Sequence, residues 1–248
     1  RETSFSAQDK IIKESEITSL LHVPSPDSSL VREILAKARE LKGLPIADIP
    51  PLTRISDPEL LSELFSAAKF VKETIYGKRL VIFAPLYVSN LCSNECLYCA
   101  FRVKNTSLQR RALTQAEVQQ ETKLLIEQGH KRVLLVAGES YPTEGLDYIL
   151  KCIRTVYATK SGPGEIRRIN VNIAPLTLED FQRLRAENIG TYQLFQETYH
   201  RETYQRVHCA GAKKNFDWRL TAIDRAMQAG IDDVGIGVLF GLYDWRFE

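Results

Sequence analysis

From Leu80 onward the chain alternates short apolar runs with longer amphipathic ones, and no other feature constrains its fold as much. The spacing predicts strands over residues 80–88, 132–137, 168–174, 191–197 and 233–240, with helices over 114–128, 144–159, 177–188 and 216–229 between them. Three of the helices carry their own stops: Gln128-Gly129, Asn188-Ile189-Gly190 and Gln228-Ala229-Gly230. Repeated βα units of this length specify a parallel sheet with right-handed crossovers, most simply an α/β barrel of the TIM type. Five strands are counted where eight close such a barrel, so the expectation is a fragment of an eight-stranded chain. Upstream, Ser25-Pro26-Asp27-Ser28-Ser29 offers capping residues before the amphipathic stretch 30–41, and Ser56-Asp57-Pro58-Glu59 opens a second helix that Gly77 ends. The expected organisation is therefore a helical extension over 1–78 and a barrel over 79–248, incomplete at its carboxyl end.

Composition narrows the function classes. With 248 residues, 44% of them hydrophobic, the chain can bury one sizeable core without disulfide staples. Its 33 basic and 31 acidic residues leave a net charge of +2, so no general affinity for nucleic acid or membrane is expected. The Lys213-Lys214 pair reads as a solvated loop. No apolar run reaches spanning length and the polar start lacks a signal-peptide core, which points to the cytoplasm. Five cysteines, an odd number with three clustered, fit a reducing compartment better than a disulfide framework.

The clustered three are Cys92, Cys96 and Cys99, on the loop that leaves the first predicted strand. Thiols at this spacing can hold three corners of an iron–sulfur cubane and leave its fourth iron open to an exchangeable ligand. The competing reading is structural zinc, which needs four ligands and usually two separated pairs. Cys152, Cys209, His200 or His208 could supply a distant fourth, but none has a zinc-type spacing. The run C-x-x-x-C-x-x-C, with Tyr98 immediately before the third cysteine, resembles the signature of the radical S-adenosylmethionine (radical SAM) superfamily. That resemblance implies a [4Fe-4S] cluster whose open iron is chelated by S-adenosylmethionine. It also implies one-electron cleavage to a 5′-deoxyadenosyl radical, oxygen-labile chemistry and anaerobic metabolism.

In a parallel barrel the site lies at the carboxyl ends of the strands. Ala137-Gly138-Glu139 resembles the superfamily's Gly-Gly-Glu segment, with Ala137 in place of the first glycine; the resemblance sets Gly138 and Glu139 beside the methionine moiety. Asn170 and Asn172 share one strand face, and Asn172 suits ribose or methionine recognition, although an amide pair bonded to neighbouring groups fits as well. Gln193, Phe195 and Glu197 share a face of the next strand, where Glu197 would contact the cofactor or substrate, or else pair with Arg201. Gly237-Val238-Leu239-Phe240-Gly241 resembles the glycine-flanked segment beside adenine, which would bring Gly237 and Leu239 to the cofactor. His22, His130, His200, His208 and Cys152 are assigned no role.

Several longer stretches carry a narrower resemblance. Phe83-Ala84-Pro85-Leu86-Tyr87-Val88-Ser89-Asn90, Val136-Ala137-Gly138-Glu139-Ser140, Asn170-Val171-Asn172-Ile173-Ala174-Pro175-Leu176, Phe195-Gln196-Glu197-Thr198-Tyr199-His200 and Gly235-Ile236-Gly237-Val238-Leu239-Phe240-Gly241-Leu242 are together similar to the tyrosine lyases of [FeFe]-hydrogenase maturation, the HydG family. The resemblance implies cleavage of the Cα–Cβ bond of L-tyrosine to p-cresol and dehydroglycine, the source of carbon monoxide and cyanide for the H-cluster. It implies a second, carboxy-terminal iron–sulfur cluster in the full-length protein, an electron donor such as ferredoxin or flavodoxin, and hydrogenase maturation proteins as partners. Tyr87, five residues before Cys92, stands where relatives contact the amino-acid substrate, with Gln193 facing the same space. The alternatives are the 2-iminoacetate synthase of thiamine biosynthesis and, from another class, a zinc-stabilised or degenerate non-catalytic scaffold.

Overall fold

A computed structural model describes residues 11–22 and 24–248, which fall into two compact units. One runs up to Val81 and takes in Tyr243–Glu248; the other is Ile82–Leu242.

The first unit is helical: α1 (Glu14–Leu21), α2 (Ser28–Arg39), α3 (Ile49–Thr53) and α4 (Pro58–Tyr76). The two longer helices begin where the sequence supplies caps. The Asp27 side chain accepts from Leu30 N at 2.7 Å, and that of Asp57 from Leu60 N at 2.9 Å, each satisfying a first-turn donor the helix leaves unpaired. Pro58 follows Asp57 at the first turn, where its missing N–H costs nothing. Val31 and Leu35 of α2 meet Leu60 and Ala67 of α4 in a small core of their own.

The second unit is built on five parallel strands, β1 (Ala84–Ser89), β2 (Arg132–Ala137), β3 (Arg168–Asn172), β4 (Tyr192–Gln193) and β5 (Val234–Gly235). They lie side by side in sequence order, as successive right-handed βα crossovers require. The helices α5 (Gln115–Glu127), α6 (Leu146–Ala158), α7 (Leu178–Ala186), α8 (Arg201–Val207), α9 (Phe216–Leu220) and α10 (Ala222–Gln228) fall between them in sequence. One register row, Leu86, Leu135, Val171 and Tyr192, faces α5, α6, α7 and α10 and forms the main core with Val118, Ile149, Ile153, Phe181, Leu184 and Ala226. Burying each such side chain contributes on the order of 1.5–3 kcal/mol. The alternate row, Tyr87, Val136, Asn172, Gln193 and Gly235, therefore lines the opposite face.

The structure departs from the expected elements in a few places. Residues 80–83 do not pair, and Leu80 is 84% exposed. The strands expected over 191–197 and 233–240 pair only at Tyr192–Gln193 and Val234–Gly235; further on, Glu197 takes a positive φ of 72°, and a single bridge from Glu197 to Val238 resumes the contact. The helix expected over 216–229 breaks at Thr221, which donates its hydroxyl to Asp217 O at 2.8 Å. Two small antiparallel ribbons stand apart from the sheet, Glu95–Cys96 with His208–Ala210 and Lys160–Ser161 with Gly164–Glu165. Among the described residues no helix is long and apolar enough to cross a membrane.

Candidate active site

The cysteine loop leaves β1 and is tied at both ends. The Tyr148 hydroxyl is shared between Val88 O and Leu113 O, and Leu113 N donates to Val88 O at 2.8 Å. Cys96 is nearly buried, on the ribbon opposite His208; Cys92 and Cys99 are half-buried. Cys99 N donates to Cys96 O at 3.0 Å, and Phe101 N approaches the Cys99 sulfur at 3.4 Å. Burial pushes the Cys96 thiol up to about 11, Lys213 opposes the shift, and Glu139, Cys99 and Cys92 add to it. The neighbouring Glu95 carboxylate is buried too, and holds the loop by accepting from Lys104 N at 3.0 Å and from Arg102 Nη1 at 2.9 Å.

Two charged pairs from distant sequence close around this loop. Glu139, just past the end of β2, accepts from Asn94 Nδ2 at 2.9 Å and from Arg219 Nη1 at 2.7 Å. Burial would raise its pKa, but Arg219, Lys213 and the two hydrogen bonds hold it below the usual carboxylate range. Arg219 also donates Nε to Phe195 O at 2.8 Å, so the pair is anchored to the chain beyond β4. Glu197 accepts from Lys213 Nζ at 2.9 Å, and that ammonium lies 5.7 Å from the centre of the Tyr98 ring. Lys213 is 8% exposed, which corrects its reading as a solvated loop; its own N–H donates to Asn94 Oδ1. Arg201 pairs with Asp217, leaving Lys213 as the partner of Glu197.

Tyr98 turns its hydroxyl onto His208 Nε2 at 2.6 Å, and His208 Nδ1 meets Tyr204 O at 2.9 Å. A carbonyl can only accept, so Nδ1 carries the proton and Nε2 accepts from Tyr98. Burial, with Lys213 nearby, pushes His208 down to about 4. Both ring nitrogens are thus engaged. His200 caps α8 and Cys152 sits in the main core, so neither points to a shared ion with the cysteines.

The remaining sequence-derived residues fall on two surfaces. Tyr87, Asn172 and Gln193 share the register row on the sheet's open face, and Tyr87 packs edge-on against Phe101 of the cysteine loop, ring centres 6.2 Å apart. Asn172 donates Nδ2 to Gln193 O at 2.9 Å, so one of its groups serves the sheet itself. Gly138 N donates to Ser89 O at 2.9 Å, and a Cβ on Gly138 would run into the Leu91 carbonyl oxygen. The glycine is what lets β2 meet the chain entering the cysteine loop. A Cβ on Gly237 would sit 2.8 Å from the Phe195 ring, and Leu239 is exposed, its N–H bonded to Glu197 O. Sequence reasoning missed Asn94, Arg110, His208, Lys213 and Arg219. Apart from Asn94, inside the cysteine motif, and Arg110, later on the same connection, each comes from another loop or helix, and only the folded chain shows the meeting.

The donor set fits an iron–sulfur cluster. A mononuclear zinc site needs four protein ligands, and three residues that could supply the fourth are otherwise engaged: His208 by Tyr98 and Tyr204 O, His200 as the cap of α8, Cys152 in the main core. A cubane instead takes one soft thiolate per iron, and the loop offers three free thiols with a carboxylate and an ammonium beside them.

A parallel βα sheet with a three-thiol loop at the carboxyl end of its first strand defines a cluster-dependent enzyme of the radical class. The profile of the Radical SAM superfamily matches residues 86–248, and the chain belongs to that superfamily, which implies a [4Fe-4S] cluster and S-adenosylmethionine. A crystal structure of HydG, a maturase of the [FeFe]-hydrogenase, is 49% identical with a TM-score of 0.92, covering 96% of this chain and 52% of that one. HydG from Carboxydothermus hydrogenoformans is 43% identical with a TM-score of 0.80, over 96% of this chain and 56% of its own. The 2-iminoacetate synthase of Escherichia coli (strain K12) is 34% identical over 189 residues, 76% of this chain and 48% of that protein. The chain thus spans about half the length of these relatives.

Proposed function

We propose that the protein is a radical SAM carbon–carbon lyase acting on L-tyrosine, releasing p-cresol and dehydroglycine for the carbon monoxide and cyanide of [FeFe]-hydrogenase maturation. The observation that carries this reading is the three-thiol loop at the end of β1, in a chain that superposes on HydG over nearly its whole length. In this reading residues 1–78, of which 1–10 and 23 lie outside the described residues, are the helical extension and the barrel domain begins at 79, and the protein works in the cytoplasm with ferredoxin or flavodoxin as reductant.

Cys92, Cys96 and Cys99 would each hold one iron. When bound, the reduced cluster and S-adenosylmethionine supply a carbon-centred radical able to take a hydrogen atom from a substrate amino group. The chain's own residues do the rest. Glu139 and Glu197 each keep acceptor capacity beyond the bonds described, enough for an ammonium or a ribose hydroxyl. Tyr98, Gly138, Asn172, Gly237 and Leu239 complete the cofactor side, while Tyr87 and Gln193, on the open face of the sheet, face the substrate. Arg219 holds Glu139 in its ionised form and Lys213 fixes Glu197 in place, so that neither side chain must reorganise when a cationic group arrives.

The test is anaerobic incubation of the reconstituted full-length protein with tyrosine, dithionite and S-adenosylmethionine. p-Cresol and 5′-deoxyadenosine are expected, and neither from Cys96→Ala. Absence of both from a protein with a full complement of iron would refute the assignment. The 34% identity to 2-iminoacetate synthase favours a second reading, the same cleavage serving thiamine synthesis. Cyanide and carbon monoxide among the products separate the two, since they require the second cluster expected in the full-length protein.

A further inference from the structure

We propose that Arg110 is a positioning residue for the cluster site, a guanidinium clamp that sets the shape of the cysteine loop. This rests on the reading of that loop as a cluster ligand. Arg110 Nη1 donates to Asn90 O at 2.9 Å and Phe101 O at 2.8 Å; Nη2 donates to Arg102 O at 2.6 Å and reaches Asn105 O at 3.4 Å. Asn90 lies before the first cysteine, and the other three lie after the last. One side chain therefore joins both ends of the segment that carries all three thiols.

The loop needs such a device because regular structure gives it little. Between Asn90 and Asn105 the only strand is the two-residue ribbon Glu95–Cys96, so most loop carbonyls have no ladder partner. A planar fork with five donors can serve several carbonyls at fixed angles, whereas an ammonium is a point donor on a flexible stem. The clamp is itself prepared: Asn90 donates Nδ2 to Gln109 O at 2.8 Å and accepts Arg111 N on Oδ1 at 2.8 Å, fixing the backbone on both sides of Arg110. No ion pair consumes its charge among the salt bridges of the described residues, so the guanidinium is spent on main-chain oxygens.

Arg110→Met and Arg110→Lys test this in the full-length protein, reconstituted without air. The readouts are iron and sulfide per chain, the electron paramagnetic resonance spectrum of the reduced cluster with and without S-adenosylmethionine, and circular dichroism. R110M is expected to keep the wild-type dichroism, to lose much of its bound iron, and to lose the spectral change that S-adenosylmethionine produces. R110K is expected to fall between, since charge without the fork restores only part of the loop geometry. Full iron and an unaltered spectral response in R110M would overturn the proposal. Should R110M fail to fold, the same result in R110K would overturn it. A wild-type protein that takes up no iron would sink the functional reading and this inference together, whereas indifferent variants beside a loaded wild type sink this inference alone.

Discussion

At Gly138 the absence of a side chain does specific work, because the Leu91 carbonyl occupies the space a methyl would need. Gly138→Ala must push the start of the cysteine loop away from β2. Overpacking of this kind costs typically ~1–3 kcal/mol, and the displaced atoms are those leading directly to Cys92. The expected outcome is a modest fall in melting temperature with a larger loss of bound iron after reconstitution; equal iron in mutant and wild type would contradict it. The Arg219–Glu139 pair makes a second residue-level test. Arg219→Met takes the ion-pair partner from a buried carboxylate and leaves it the Asn94 hydrogen bond, a change that costs up to about 3–5 kcal/mol, and adding Glu139→Gln should return part of that loss in denaturant unfolding. Of this site, the cysteines, Gly138 and the carboxylates were legible in the sequence, because a covalent spacing or a charge at a strand end is visible without coordinates. Lys213 and His208 were not. A lysine beside another lysine is usually solvated, and only the fold reveals that the first of this pair turns inward onto Glu197.

At the scale of elements, α5 shows how local chemistry fixes a boundary. Thr114 and Glu117 form a reciprocal capping box, with the Thr114 backbone N–H and Arg111 holding the Glu117 carboxylate below its usual range. A depressed carboxylate stabilises the fold only while ionised, so its contribution is present above the ordinary carboxylate range and disappears as pH falls through the folded-state value. Wild type should therefore melt above Glu117→Gln at neutral pH, and the difference should shrink in acid; a gap independent of pH would contradict the cap. The same local signals made α2, α4, α5, α6 and α7 readable to within a few residues. The ribbon pairing Glu95–Cys96 with His208–Ala210 was not readable, since two-residue strands have no periodicity and their partners lie more than a hundred residues apart. The left-handed backbone at Glu197 was hidden for a related reason. A positive φ at a glutamate is not a sequence signal, and here tertiary contacts to Lys213 and Leu239 hold it in place.

Over the whole molecule, the main core and the cysteine loop are separable. The core rests on the face of the sheet packed against α5, α6, α7 and α10, and Cys92, Cys96 and Cys99 are absent from it. The loop is braced by bonds to Arg110, Glu95, the ribbon and Tyr148. Removing iron with a chelator should therefore leave the sheet and its helices folded, unlike a zinc finger, whose folding energy is its metal. Far-ultraviolet dichroism and the principal melting transition are expected to survive. Exchange of the amide hydrogens over 90–105 should quicken in the stripped protein, because local opening follows where buried apolar contacts are few. Amides of β1, β2 and β3 should keep their protection, since their ladder and their burial owe nothing to the thiols. Collapse of protection across those strands on loss of iron would mean that the cluster is part of the fold, and that the loop is not the independently braced support its hydrogen bonds describe.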